Sequence, residues 1–247
     1  GFFAAAVGTL FGLPSLRIKG FYLAVATLAA QFFLSWCFIR VPWLYNYNIS
    51  ASIEVPTRSV LGVAVTGPTA TPTTRYLVVL SIVVLMTLLA SNLIRGRIGR
   101  MWMAVRDMDI AAELIGIKLY QTKLLAFAVS SFYCGVAGAM MAFLWLGSPE
   151  SESFSINQSF LVLFMVIIGG LGSLIGNFFG AALIWGLPVL LRFVPAFGLD
   201  LRPATVEHLT FMILGALIVF FLIVEPNGLA RLWQVGKQKL RVWPFPY

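Results

Sequence analysis

Two uncharged apolar runs, residues 76–94 and 124–146, flank a polar stretch, residues 95–123, that holds six of the seventeen basic residues and three of the nine acidic ones. Each run is long enough to cross a hydrocarbon layer as a helix, which takes roughly 20 residues. A polar segment between two such runs is a loop between membrane helices, and its net charge of +3 assigns it to the cytoplasmic side. With 60% apolar residues, 11% charged residues and a mean hydropathy of +0.94, the chain lies outside the range of soluble domains. Its runs are those of helices rather than of the alternating strands of a barrel. A pI near 9.9 would suggest nucleic acid as the partner of a soluble protein. Here ten of the seventeen basic residues fall in 95–123 and 231–241, so membrane orientation accounts for the charge and no nucleic-acid partner is expected.

The loop has internal order. Met101, Ala104, Val105, Met108, Ala112 and Ile115 recur at helical spacing and make one apolar face. Arg106, Asp109 and Glu113 share another face, three and four residues apart, where they can pair. Asp109 as N-cap and Gly116 as the residue past the C-terminus bracket a short helix around Ala111, Ala112 and Glu113. On pattern alone, an amphipathic helix resting on lipid headgroups is one reading of this stretch.

AAELIGI, within AVRDMDIAAELIGIKLYQTKLLAF, resembles the "EAA" loop of ABC importer permeases, the segment that docks into the ATPase subunit. GFYLAVATLAAQ, KLLAFAVSSFYCGVAGAMMA, IIGGLGSLIGNFFGAAL and EPNGL extend the likeness, in order, to the permease family for branched-chain amino acids. The resemblance implies a permease subunit of an ATP-driven importer in the bacterial inner membrane. Its implied partners are a second homologous permease, two cytoplasmic ATPase subunits, a periplasmic substrate-binding protein and the lipid bilayer. It makes Arg106, Asp109, Ala111, Ala112, Glu113 and Gly116 the ATPase-coupling residues, and branched-chain amino acids the solutes, with urea, short amides or aromatic acids as the alternative. The chain opens inside an apolar segment, GFFAAAVGTLFGL, too short to span alone. Family members carry further helices there, so an N-terminal part is expected to precede it.

The remaining spans are expected at 21–39 and 208–224, with a longer segment at 160–194. In the first, Thr27, Gln31 and Ser35 share a face as polar glue between helices or as lining of a translocation path. Residues 40–75 are assigned to the outer side by alternation, with Trp43, Tyr45 and Tyr47 at the interface. The β-branched stretch at 52–65 fits a small strand or a surface helix equally. Ser131, Gly135, Gly138 and Ala142 form a small-residue stripe for close packing. Residues 147–159 and 197–207 are outer connections, 14–20 an inner one, and 225–247 finish inside. The 160–194 segment is short for two spans and is broken by GGLGSLIG, so one limb must be short or the chain must turn inside the protein. Gly169, Gly170 and Gly172 are therefore further candidates for the translocation path. No Gly-Lys-Ser/Thr ends the break, so it is no nucleotide loop.

The expected architecture is all-α: a polytopic transmembrane bundle forming one permease domain over 1–247, with a glycine-interrupted intramembrane segment and a cytoplasmic coupling helix in the 95–123 loop. Cys37 and Cys134 lie in apolar runs and suggest neither a disulfide nor a metal site, and His208 marks a membrane boundary. No catalytic constellation, metal ligand set or cofactor is expected. An ion-driven secondary transporter would need ionisable residues in mid-span, which the assigned spans lack. A non-transporting scaffold leaves the glycine break and the docking-like loop without a role.

Overall fold

A computed structural model describes residues 1–16, 21–45, 47, 53, 55–60, 63–67, 70–193, 203–224 and 228–242. The basic connection at Arg17 and Lys19, Glu54, the outer segment around Phe197 and Arg202, and the start of EPNGL lie outside them. Apart from one small hairpin the described residues are helices, turns and irregular links, and the fold is all-α as expected. Two compact units, Gly1–Ser153 and Phe154–Tyr247, are described one at a time.

The first unit holds α1 (Phe2–Ser15), α2 (Phe21–Arg40), β1 (Ser59–Val60), β2 (Val63–Ala64), α3 (Pro72–Arg95), α4 (Arg97–Asp107), α5 (Asp109–Leu114) and α6 (Leu119–Met140), which runs on as a π-helical turn, Met141–Leu146. Of the two readings of 52–65, the strand holds among the described residues: β1 and β2 pair antiparallel, with Ser59 opposite Ala64 and Val60 opposite Val63. Thr66 Oγ1 secures the hairpin, accepting from Arg58 N at 2.6 Å and donating to Pro56 O at 3.0 Å. Helix α3 begins before the uncharged run does. Pro72 sits in its first turn and the Thr71 hydroxyl accepts from Thr74 N–H at 3.4 Å, so the cap rather than the charge sets its start. Arg75 consequently lies inside the helix and donates to Gly67 O. In the same way α6 takes in Thr122 and Lys123 from the polar loop.

Packing within this unit follows small residues. Helix α1 lies on α6 with Gly8 against Ser131, and Gly135 against Ala4 and Gly1, which puts half of the predicted stripe at a close helix contact. The Tyr133 hydroxyl, donating to Met86 O at 3.1 Å, ties α6 to α3. Large apolar side chains point outward instead: α3 has no buried residue, and Leu77, Leu85 and Leu88 are exposed. That is the arrangement for helices bathed in lipid, where tails solvate leucine as well as a protein interior does.

The second unit holds α7 (Ile156–Gly169), α8 (Leu174–Phe193), α9 (Pro203–Val224) and α10 (Gly228–Val242) around a core of Ile168, Ile184, Leu214 and Phe221. Of the two limbs of 160–194, α7 is the shorter: its fourteen residues rise about 21 Å, against about 30 Å for the twenty of α8. Among the described residues Pro72–Arg95, Leu119–Leu146, Glu152–Gly169 and Leu174–Leu191 are helical stretches long and apolar enough to cross a membrane. Helix α2, with 20 residues, matches the run at 21–39, whereas α9, with 22, begins at Pro203, five residues before the run at 208–224 and inside the stretch expected to be an outer connection.

Candidate functional site

The polar loop becomes a compact corner. Helix α4 lies beside α6, pinned where Trp102 Nε1 donates to Thr122 O at 3.1 Å. Thr122 is itself buried, its hydroxyl donating to Lys118 O at 3.0 Å. At Met108 the backbone is extended (φ −150°, ψ 96°), which ends α4 and starts α5 in a new direction. This break corrects the single apolar face expected from 101 to 115. Val105 and Ala112 are buried, but Met108 and Ile115 are 70% and 74% exposed, because helical periodicity does not carry through an extended residue.

Helix α5 is a six-residue element held inward by Ala112 alone, at 2% exposure. Its N-cap is Met108 rather than Asp109. Asp109 occupies the first helical position, its Oδ1 accepting from Ile110 N at 2.9 Å, where a carboxylate favours the positive end of the peptide dipoles. The C-terminus is as expected. Gly116 N–H donates to Glu113 O at 2.9 Å and Ile117 N–H to Ala112 O at 3.0 Å, a Schellman pair closed by Gly116 at φ +87°. Arg106, Asp109, Ala111, Glu113 and Gly116 are all exposed. Arg106 does not pair with Asp109 or Glu113: the break at Met108 turns those two away, and Arg106 Nε bonds Asp107 Oδ1 at 2.8 Å. That hydrogen bond, then the Asp107 charge, raises the Arg106 pKa.

Sequence reasoning put Ile115 on an apolar face with Ala112 and passed over Ile110 and Leu114, so it missed the exposed apolar rim of α5. Ile110, Leu114 and Ile115 are 74%, 84% and 74% exposed, beside the charged Asp109 and Glu113. The available signal was the i, i+4 spacing of Ile110 and Leu114 on the side away from Ala112.

The glycine break is a tight turn between α7 and α8. Ser173 N–H donates to Gly170 O at 3.3 Å, and Gly172, at φ +84°, takes the third turn position, where a type II turn requires a left-handed residue. The Ser173 hydroxyl accepts from Gly176 N–H at 3.0 Å and caps α8. Gly169 and Gly176 let the two backbones touch: a Cβ on either would fall onto the other's carbonyl oxygen. Gly228, opening α10, lies over the turn; a Cβ there would stand 2.6 Å from Gly170 Cα. Two separate sequence blocks, GGLGSLIG and EPNGL, thus meet at Gly170. Gly176 and Gly228 were not among the expected path residues, although Gly176-x-x-x-Gly180 has the spacing of a close helix contact. Asn177 Oδ1 is buried beside the turn without a hydrogen-bond partner among the described residues. On α2, Thr27, Gln31 and Ser35 are all partly buried while Phe32 and Trp36 on the other side are exposed, so the three polar residues do share the less exposed face. Among the described residues no three His, Cys, Asp or Glu side chains converge as metal ligands would.

A family described as the branched-chain amino acid transport system permease component matches residues 1–222. The chain is 30% identical over 252 residues to the high-affinity branched-chain amino acid transport system permease protein LivM of Escherichia coli, covering 93% of this chain and 55% of that protein. Its similarity to the Salmonella typhimurium LivM is 29% with the same coverage. To a probable branched-chain amino acid transport permease LivM of Methanocaldococcus jannaschii it is 25%, over 90% of this chain and 64% of that one. The chain thus spans about half the length of the two bacterial relatives. No solved structure matches. With four long apolar helices among the described residues and a match over 222 of its 247 positions, this multi-pass membrane protein belongs to the branched-chain amino acid transport permease family.

Proposed function

We propose that the chain is the membrane-spanning permease of an ATP-binding-cassette importer in the bacterial inner membrane, and that the 95–123 loop couples it to a cytoplasmic ATPase. One permease domain over 1–247 pairs with a second, related permease; two ATPase subunits hydrolyse ATP, and a periplasmic binding protein delivers the solute. The solute is a branched-chain amino acid, in keeping with the names of the relatives.

The observation that carries the coupling role is α5. It stands out from the loop on one buried alanine and a Schellman turn, and presents Ile110, Leu114 and Ile115 beside Glu113. Covering such a side chain recovers about 1.5–3 kcal/mol, so a cleft on a partner gains from all three. Because α4 is fastened to α6 through Trp102 and Thr122, a push on α5 reaches the membrane helices as a rigid-body movement rather than being absorbed by a slack loop. Each unit has its own candidates for lining a solute path: Thr27, Gln31 and Ser35 on α2 in the first, and Gly169, Gly170 and Gly172 at the glycine turn in the second.

Reconstitution tests the function as a whole. Proteoliposomes with the full-length permease pair, ATPase subunits and binding protein are loaded with ATP and offered labelled leucine, isoleucine, valine, urea or benzoate. ATP-dependent uptake of the branched-chain amino acids, absent when this subunit is omitted, is the expected result. Uptake of urea or benzoate alone moves the solute to the alternative class, and uptake without ATP refutes the importer.

A further inference from the structure

Helix α10 follows the apolar helix α9 after only residues 225–227, so its first turn is held at a membrane boundary. Its sequence, GLARLWQVGKQKLRV, contains Arg231, Lys237, Lys239 and Arg241 and no acidic residue. At 3.6 residues per turn, Leu229, Leu232, Trp233, Gly236 and Leu240 fall in one arc, and Gln234, Gln238 and Arg241 on the far side. Lys237 and Lys239 border the apolar arc on its two edges.

The two halves of α10 differ in what they touch. The first half is built into its unit: Gly228 lies on Gly170, Ala230 against Gly176, and the Trp233 ring packs on Phe179 at 5.9 Å. In the second half Leu240 is 78% exposed, and Lys237, Lys239 and Arg241 are exposed with it. Val219, Phe220 and Ile223 near the end of α9 are exposed as well, so lipid-facing surface precedes α10 directly.

We propose that the C-terminal half of α10 is a binding site for an anionic lipid surface, with Leu240 entering the headgroup boundary and Lys237 and Lys239, on the two edges of the arc, on lipid phosphates. The charge is all of one sign and complements phospholipid. A lysine on each edge of the apolar arc can lay its stem along the acyl surface and reach headgroups on both sides of the helix axis. Since the same helix carries Gly228 onto Gly170, its grip on the membrane also holds the cover over the glycine turn. The proposal requires that α9 span a membrane; it does not require the importer reading.

The test uses the full chain in nanodiscs, with Cys37 and Cys134 replaced by alanine and an environment-sensitive fluorophore on Leu240→Cys, which keeps the position apolar. Blue-shifted emission is expected in phosphatidylcholine discs containing phosphatidylglycerol, and should be lost in high salt or in phosphatidylcholine alone. Each of Lys237→Gln and Lys239→Gln should lower the docked-to-free ratio roughly fivefold, while Lys237→Arg/Lys239→Arg should retain it. Emission that ignores both salt and lipid charge overturns the proposal, as does an anionic-lipid effect that survives the double glutamine variant. Shielding that appears only when ATPase subunits are added gives the surface to a protein partner and overturns it too.

Discussion

Gly116 offers a way to separate a turn from a contact. Its φ of +87° closes the Schellman pair at Glu113 and Ala112, and among the described residues beyond its two chain neighbours nothing lies within 4 Å of where a Cβ would stand. Gly116→Ala therefore meets no clash, and its penalty is the left-handed backbone alone, about 1–2 kcal/mol, a five- to thirtyfold shift away from the native turn. Gly116→Asn is the informative partner, because asparagine accepts left-handed φ and keeps the turn while adding bulk. Gly116→Leu carries both effects. All three should reach the membrane, since the position is exposed and outside the packed helices. The assay is retention of the ATPase subunits by the purified complex, with solute-stimulated ATP hydrolysis beside it. If α5 sits in an ATPase cleft close against Gly116, Asn should lose at least tenfold in ATPase affinity despite its intact turn, and Leu more. Full retention and coupling in both Asn and Leu would refute docking at this helix. Loss in Ala with retention in Asn would mean that the turn matters and that nothing approaches the glycine.

Orientation is tested by single cysteines in a cysteine-free chain: positions 106 and 238 should be labelled only from the cytoplasm and position 151 only from outside, and outside labelling of 106 in sealed cells overturns the topology. Gly228→Ala, whose Cβ would stand 2.6 Å from Gly170 Cα at a left-handed backbone, should destabilise by about 1–3 kcal/mol. Gly186→Ala, with open space around it, should be close to neutral in the same thermal unfolding in detergent. Gly170→Leu, at φ +111°, should lose uptake while leaving ATPase retention intact; normal uptake would make the turn merely tolerant. Trp102→Phe, which removes the 3.1 Å bond to Thr122 O, should cost about 1 kcal/mol and weaken coupling of ATP hydrolysis to uptake, with ATPase binding unchanged.

Helices, spans and the end of α5 were legible in the sequence because each rests on a local rule. Run length against bilayer thickness placed α3 and α6 and required of 160–194 a short limb or an internal turn without choosing between them, and Gly116 announced its own turn. Local rules also fail where the chain makes one non-local or one irregular choice. Nothing in 101–115 marks Met108 as extended, yet that residue decides that Val105 and Ala112 go inward while Met108 and Ile115 go outward, and that Arg106 pairs with Asp107. The contact of Gly228 with Gly170 joins two blocks each readable as a glycine motif, but their meeting is a property of how α7, α8 and α10 pack. The reason is common to membrane helices. In lipid an apolar side chain gains little by turning inward, so hydrophobicity tells that a segment is a helix in a membrane and not which face it packs. Close approach of backbones decides that, and small residues only permit it.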